Sequence, residues 1–123
     1  MKTGVIGEDI ALKYLLSRGF ELVCRNYRRP WGEIDIIVKK SSKLMFVEVK
    51  TVESLENNWH KTLDLKRPEE RVTDNKLACL RKIVQTFLIE TKHNDSKWFF
   101  GVCGVLLDPV SKKAKVSFLI EPL

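Results

Sequence analysis

Glu33, Asp35, Glu48 and Lys50 interrupt two stretches that otherwise belong inside a sheet, Glu33-Ile34-Asp35-Ile36-Ile37-Val38-Lys39 and Leu44-Met45-Phe46-Val47-Glu48-Val49-Lys50-Thr51. β-branched and apolar residues surround the acids, and Lys40-Ser41-Ser42-Lys43 reads as a turn, so a hairpin is expected. If the turn is symmetric, Lys39 opposes Leu44, and continuing the ladder sets Asp35 opposite Glu48 and Glu33 opposite Lys50. Cross-strand partners share a face, as do residues two apart, so all four side chains are expected on one side. Like charges directly opposed destabilise a sheet unless something positive lies between them. Paired carboxylate oxygens suit a hard cation, Mg²⁺ or Mn²⁺, which keeps several waters and can bridge to phosphate. Asp35 and Glu48 are the candidate ligands, and the Lys50 ammonium is placed to orient water or to compensate developing charge.

The acid-x-Lys spacing alone carries little weight, because Asp64-Leu65-Lys66, Asp74-Asn75-Lys76, Glu90-Thr91-Lys92 and Asp95-Ser96-Lys97 share it. Those four fall in loops or at helix ends, where charge is ordinary solvated surface. Only Glu48-Val49-Lys50 lies within an apolar strand and faces a second acid. The competing structural reading is a face of exposed cross-strand ion pairs worth ~0.2–1 kcal/mol each, and the opposed Asp35 and Glu48 count against it.

The elements that must hold these residues follow in order. Ile10, Ala11, Leu12, Tyr14 and Leu15 recur with helical spacing over Gly4 to Arg18, and Gly19 suits the end of that helix. Glu8 shares the stripe facing the protein; on its own it reads as a first-turn carboxylate favoured by the helix dipole. Phe20 to Arg28 is a first strand, ended by Pro30-Trp31-Gly32, with Trp31 as a turn anchor. From Val52 to Thr73 polar residues dominate, and a long loop is expected, with a short helical start at Pro68-Glu69-Glu70 and Trp59 packed over the core. Leu77, Leu80, Val84, Phe87 and Leu88 mark a second helix from about Asp74 to Thr91. Trp98 to Leu107 is apolar enough for a strand covered on both sides, and Val116, Phe118 and Ile120 alternate along a last strand nearer an edge. The order is α, β, β, β, α, β, β, a mixed α/β sheet flanked by helices.

At 123 residues the chain is read as one domain able to bury a core without staples. A net charge of +6 favours a polyanionic partner, nucleic acid or an anionic membrane surface. No basic amphipathic helix supports the membrane, and the longest apolar run is half a membrane span. Cys24, Cys79 and Cys103 have no CxxC spacing and are expected to be reduced core thiols of a cytoplasmic protein. His60 and His93 lack spaced partners and read as surface residues. Arg25, Arg28, Arg29 and Lys43, with Lys39 and Lys40, cluster in sequence around the hairpin as phosphate contacts, and Lys76 joins them from the second helix.

Gly7-Glu8 with Ala11 and Leu15, Arg25-Asn26-Tyr27-Arg28, Gly32-Glu33-Ile34-Asp35 and Phe46-Val47-Glu48-Val49-Lys50 together resemble the YraN-like family of predicted endonucleases, and more distantly the archaeal Holliday-junction resolvases. The strong matches cover residues 4 to 51, with a weaker one through Val72, Lys76 and Leu80. The resemblance implies the restriction-endonuclease-like fold of the PD-(D/E)XK superfamily. It also implies a Mg²⁺- or Mn²⁺-dependent endonuclease acting on DNA, including structured or branched DNA, with Asp35 and Glu48 as metal ligands, Lys50 as catalytic lysine and Glu8 as a further acid. Analogy with junction-cleaving enzymes adds a homodimer. The chain departs from the family in having Val52 two positions after the lysine, where an arginine is usual, and Gly101 in the late strand, where an aspartate is usual. These departures motivate the alternative, a non-catalytic nucleic-acid-binding or scaffold protein that keeps the nuclease fold.

Overall fold

In a computed structural model, which describes residues 3–62, 74–93 and 95–121, the chain forms a five-stranded mixed sheet with helices on both faces. The elements are α1 (Thr3–Ser17), β1 (Glu21–Arg29), β2 (Gly32–Lys40), β3 (Lys43–Glu53), a 3₁₀ turn (Glu56–Asn58), α2 (Trp59–Thr62), α3 (Asp74–Glu90), β4 (Lys97–Asp108) and β5 (Lys113–Glu121). This is the expected order with a short helical passage added, and it is compatible with a restriction-endonuclease-like fold. The strands lie in sequence order across the sheet, antiparallel except β3 and β4, whose parallel pairing needs the crossover that contains α3. β5 is an edge strand, as expected.

Alternation along the strands builds two cores. Ile37, Leu44, Phe46 and Phe100 face α3, where they meet Ile83, Val84, Phe87 and Leu88. Ile36, Val38, Met45, Val47, Cys103 and Val105 face α1, where they meet Ala11 and Leu15. The Phe46 ring is fully buried and meets Phe87 and Trp98 edge-on, with centroids 5.6 and 5.8 Å away. The α1 C-terminus closes with the Gly19 N–H donating to Leu16 O and the Phe20 N–H to Leu15 O, a pattern that needs the left-handed backbone Gly19 supplies at φ 89°. α3 ends the same way with Lys92 at φ 59° in the glycine's place.

Several expectations are corrected. β3 continues through Val52 and Glu53, and Glu56–Asn58 and Trp59–Thr62 are helical, so the polar stretch after the hairpin begins later and is less irregular than its composition implies. The β3 extension is held by the parallel ladder to β4, which the hairpin pattern does not reveal. Trp59 is partly buried and its Nε1–H donates to Ser54 O. Pro68-Glu69-Glu70, and Val72 of the family match, lie outside the described residues. Cys103 is buried, and burial pushes its thiol up to about 11, but Cys24 is only half-buried and Cys79 is exposed. Cys79 follows the polar Lys76 face of α3 rather than its apolar stripe. Trp31 packs against the α3 core, with the Lys82 ammonium 4.8 Å from its ring centroid. Among the described residues no helix is long and apolar enough to cross a membrane.

Candidate active site

The hairpin has the expected register near its turn: Lys40 pairs with Lys43 and Lys39 with Leu44. The pairing proceeds to Ile36 and Val47 and ends there, one step before Asp35 and Glu48. Past that point the Val49 N–H donates to Asp35 Oδ2 at 2.7 Å, so a side chain takes the place of a ladder carbonyl. The other side of β2 is irregular at the same residue. Arg25 pairs with Ile36 and Tyr27 with Ile34, while Asn26 between them has φ 53°, a conformation asparagine tolerates better than most residues. Ile34 and Ile37 both enter the α3 core although they are an odd number of positions apart, three, so the alternation slips at Asp35.

That slip overturns the expected single charged face. Glu33 and Glu48 line a cleft of about 180 Å³ on the α3 side, together with Lys76, Cys79 and Phe100. Lys50, two residues beyond Glu48, shares its face of β3 and is half-buried. Glu8 arrives from α1, on the opposite face. Gly7 brings it there: Gly7 is buried, and a Cβ on it would collide with the Thr51 side chain of β3. Asp35 stands between the two groups. Its burial, reinforced by the charges of Glu8, Glu33 and Glu48, pushes its carboxyl up to about 6, against the downward pull of the Val49 N–H.

The expected phosphate contacts are not gathered into one patch. Arg25 lies 3.0 Å from Asp9 and 3.7 Å from Glu8, so it offsets the α1 acids. Arg28 Nε reaches Glu33 at 3.0 Å, and Arg29 pairs with Glu90 while lying over the Tyr27 ring. Lys76 borders the acid cleft, whereas Lys43 is at the turn end, with its ammonium 5.8 Å from the Phe99 centroid. Sequence reading gave Asn26, Thr51 and Cys79 no role at this site. Asn26 inside a strand was a legible sign of a left-handed backbone residue, and Lys76 and Cys79 are three apart on one helix, but nothing in the sequence pairs Gly7 with Thr51.

The donors near Asp35 are all carboxylate oxygens, which fits a hard divalent cation. Among the described residues no three His, Cys, Asp or Glu side chains converge into a ready-made cage. A cation that retains most of its waters needs only one or two carboxylates from the protein.

A five-stranded mixed sheet flanked by helices makes this an α/β protein whose build is compatible with the restriction-endonuclease-like fold. A family model described as "Uncharacterised protein family UPF0102" matches residues 7–105. A UPF0102 protein of Dictyoglomus thermophilum is 33% identical over 96% of this chain and 93% of its own length. One from Dictyoglomus turgidum is 35% identical (94% and 92%), and one from Syntrophomonas wolfei 31% identical (96% and 94%). The chain belongs to the UPF0102 family, the YraN-like group of predicted endonucleases.

Proposed function

We propose that the protein is a Mg²⁺- or Mn²⁺-dependent endonuclease that hydrolyses DNA phosphodiester bonds, structured or branched DNA included, in the cytoplasm. The observation that supports this most directly is the Asp35 carboxyl, desolvated at the open end of the hairpin and repelled by Glu8, Glu33 and Glu48. Folding concentrates negative charge there at a cost in stability, which a bound cation would offset. Free thiols at Cys24, Cys79 and Cys103 fit a reducing compartment.

Asp35 and Glu48 would hold the metal, which when bound lowers the pKa of a coordinated water and neutralises charge on the phosphate. The Val49 N–H fixes one Asp35 oxygen and so orients the carboxylate. Glu8, tempered by Arg25, adds a further acid beside Asp35. The Lys50 ammonium would sit against the scissile group and stabilise charge as it develops. Lys76, on the wall of the cleft, would contact a flanking phosphate.

The test pairs calorimetric Mg²⁺ and Mn²⁺ binding with cleavage assays on duplex, single-stranded and junction DNA. Asp35→Asn and Glu48→Gln should each lose metal binding and cleavage while the fold persists. Salt-sensitive DNA binding that survives Asp35→Asn, with no cleavage in either metal, would replace this reading with the non-catalytic one that Val52 and Gly101 motivate. Gly101 itself has a packing reason to be small, since a Cβ there would run into the Phe118 ring.

A further inference from the structure

At the turn end of the sheet, far from the acids, α1 no longer covers the face it packs on elsewhere. Phe20, Met45, Phe99 and Ile120 floor a cleft of about 340 Å³ there, and Lys40 and Lys43 stand at its rim. Phe99 is 39% and Ile120 52% exposed, although Phe100 beside Phe99 is buried. Register explains the grouping: Met45 pairs with Phe99 and Gly101 with Ile120, so these side chains share the α1 face. Phe20 joins them because the turn after Gly19 folds it back over the sheet.

Each rim ammonium lies near an aromatic ring, Lys40 at 5.2 Å from the Phe20 centroid and Lys43 at 5.8 Å from that of Phe99. Lys40 also donates to Arg18 O at 2.8 Å, which holds it at the rim. Lys43 belongs as well to an adjoining cleft of about 390 Å³ that contains Lys92, His93 and Lys97, with Asp95 the one acid among the described residues that line it. Glu21, the nearby acid of β1, is engaged by Lys39 at 3.8 Å. An open aromatic floor that leads directly into a basic polar channel matches a ligand with alternating flat apolar rings and anionic linkers. Exposed ammonium–ring contacts are weak, so a stacking ring can displace Lys43 toward the neighbouring phosphate.

We propose that this turn-end cleft binds unpaired nucleotides of a single strand, with one base stacked on Phe99 against Phe20 and Ile120 and the adjoining phosphates held by Lys43, Lys92 and Lys97. Aromatic stacking of this kind is indifferent to base identity, so it recognises single-strandedness rather than sequence. Glu48 is five residues from Lys43 along β3, roughly 17 Å at the rise of a strand. The cleft and the acid mouth therefore lie at opposite ends of the hairpin, and the cleft holds a single-stranded segment apart from the point of cleavage. The inference takes only the class of ligand from the nuclease reading, and its test needs no metal.

Fluorescence anisotropy with a labelled oligothymidylate of about twelve nucleotides, in EDTA, measures the cleft alone. Phe99→Ala is expected to weaken binding about tenfold, and Phe99→Trp to preserve it. Lys43→Glu should weaken it about as much and flatten its salt dependence, while Lys115→Ala, an exposed lysine away from the cleft, should change it less than twofold. Blunt duplex of the same length should be insensitive to Phe99→Ala. Equal oligothymidylate binding by wild type and Phe99→Ala overturns the proposal, as does a Phe99-dependent binding confined to anionic phosphatidylserine vesicles. Loss of Mg²⁺-dependent cleavage in Asp35→Asn with oligothymidylate binding intact would separate the two sites, and absence of cleavage in the wild type would defeat the nuclease reading alone.

Discussion

The two ends of the β2–β3 hairpin are built from the same two strands and obey different physics. Toward the turn, Ile36 to Lys40 pair with Lys43 to Val47 in an unbroken ladder, and Ile36, Ile37, Val38, Leu44, Met45, Phe46 and Val47 are all buried. Toward the mouth the ladder stops, a carboxylate replaces a carbonyl as acceptor for Val49, and the nearest charges repel one another. The closed end is optimised for stability, because apolar area removed from water is the dominant favourable term. The open end spends some of that stability on a desolvated acid cluster, the usual relation between a scaffold and the site it carries.

Breaking the closed end should have the largest effect. Phe46 is fully buried and touches both Phe87 and Trp98, so Phe46→Ala is expected to cost about 3–5 kcal/mol by urea unfolding. A loss under about 1 kcal/mol would mean that the closed end is not the stabilising half. The mouth should respond in the opposite direction. Asp35 has a folded pKa of about 6, above that of an unfolded aspartate near ~3.9, so the folded state binds more protons between those pH values and stability falls as pH rises through that window. Asp35→Asn keeps an oxygen for the Val49 N–H and removes the charge. It should be more stable than wild type at pH 7 by about 2 kcal/mol, with the difference shrinking toward zero below about pH 4. Mg²⁺ at neutral pH should raise the melting temperature of wild type and leave that of Asp35→Asn unchanged. An asparagine variant less stable than wild type at pH 7 would show that the mouth is a structural feature after all.

The same contrast explains which parts were legible in the sequence. Element order and the register at Lys39–Leu44 followed from alternation, since shifting a strand by one residue would send Ile36, Val38, Met45 and Val47 to the wrong face. The α1 terminus was announced by Gly19. The mouth escaped the same logic because alternation holds only while the ladder is intact. Extending it from Ile36–Val47 to Asp35–Glu48 put four charges on one face, where the slip at Asn26 and Asp35 distributes them around a split. The acids themselves were readable, because charge inside an apolar run is conspicuous. Their arrangement was not, since it depends on which nonlocal contacts bring α1 to β3, and a glycine at position 7 does not say what it approaches.

That approach gives the next effect in size. A methyl group at Gly7 would collide with the Thr51 side chain, and its Cβ would lie only 2.8 Å from that of Thr51, so Gly7→Ala must push α1 away from β3 and carry Glu8 with it. The expected cost is about 1–3 kcal/mol, the range for overpacking a well-filled contact. In a double-mutant cycle, Thr51→Gly should recover a good part of it, read as a coupling energy of about 1 kcal/mol. Independent effects of the two substitutions would remove Gly7 as the device that seats Glu8.

The smallest effect is the most discriminating, because it decides whether the charges at the mouth stabilise the fold. Arg28 Nε and Glu33 Oε1 are 3.0 Å apart, with side chains 70% and 40% exposed. An exposed pair of this kind is worth ~0.2–1 kcal/mol and weakens as salt screens it. Glu33 also repels Asp35, so Glu33→Gln loses an attraction to one neighbour and relieves a repulsion from another. The two terms oppose, and the net change in unfolding free energy at pH 7 should lie within about 0.5 kcal/mol of zero, while the Asp35 carboxyl titrates at lower pH by NMR. A cost above ~1 kcal/mol that persists in high salt would instead make the Arg28–Glu33 pair part of the structural frame. The boundary between scaffold and site would then fall beyond Glu33 rather than at Asp35, and the broken ladder would have to be explained by ion pairing instead of by the demands of a cation site.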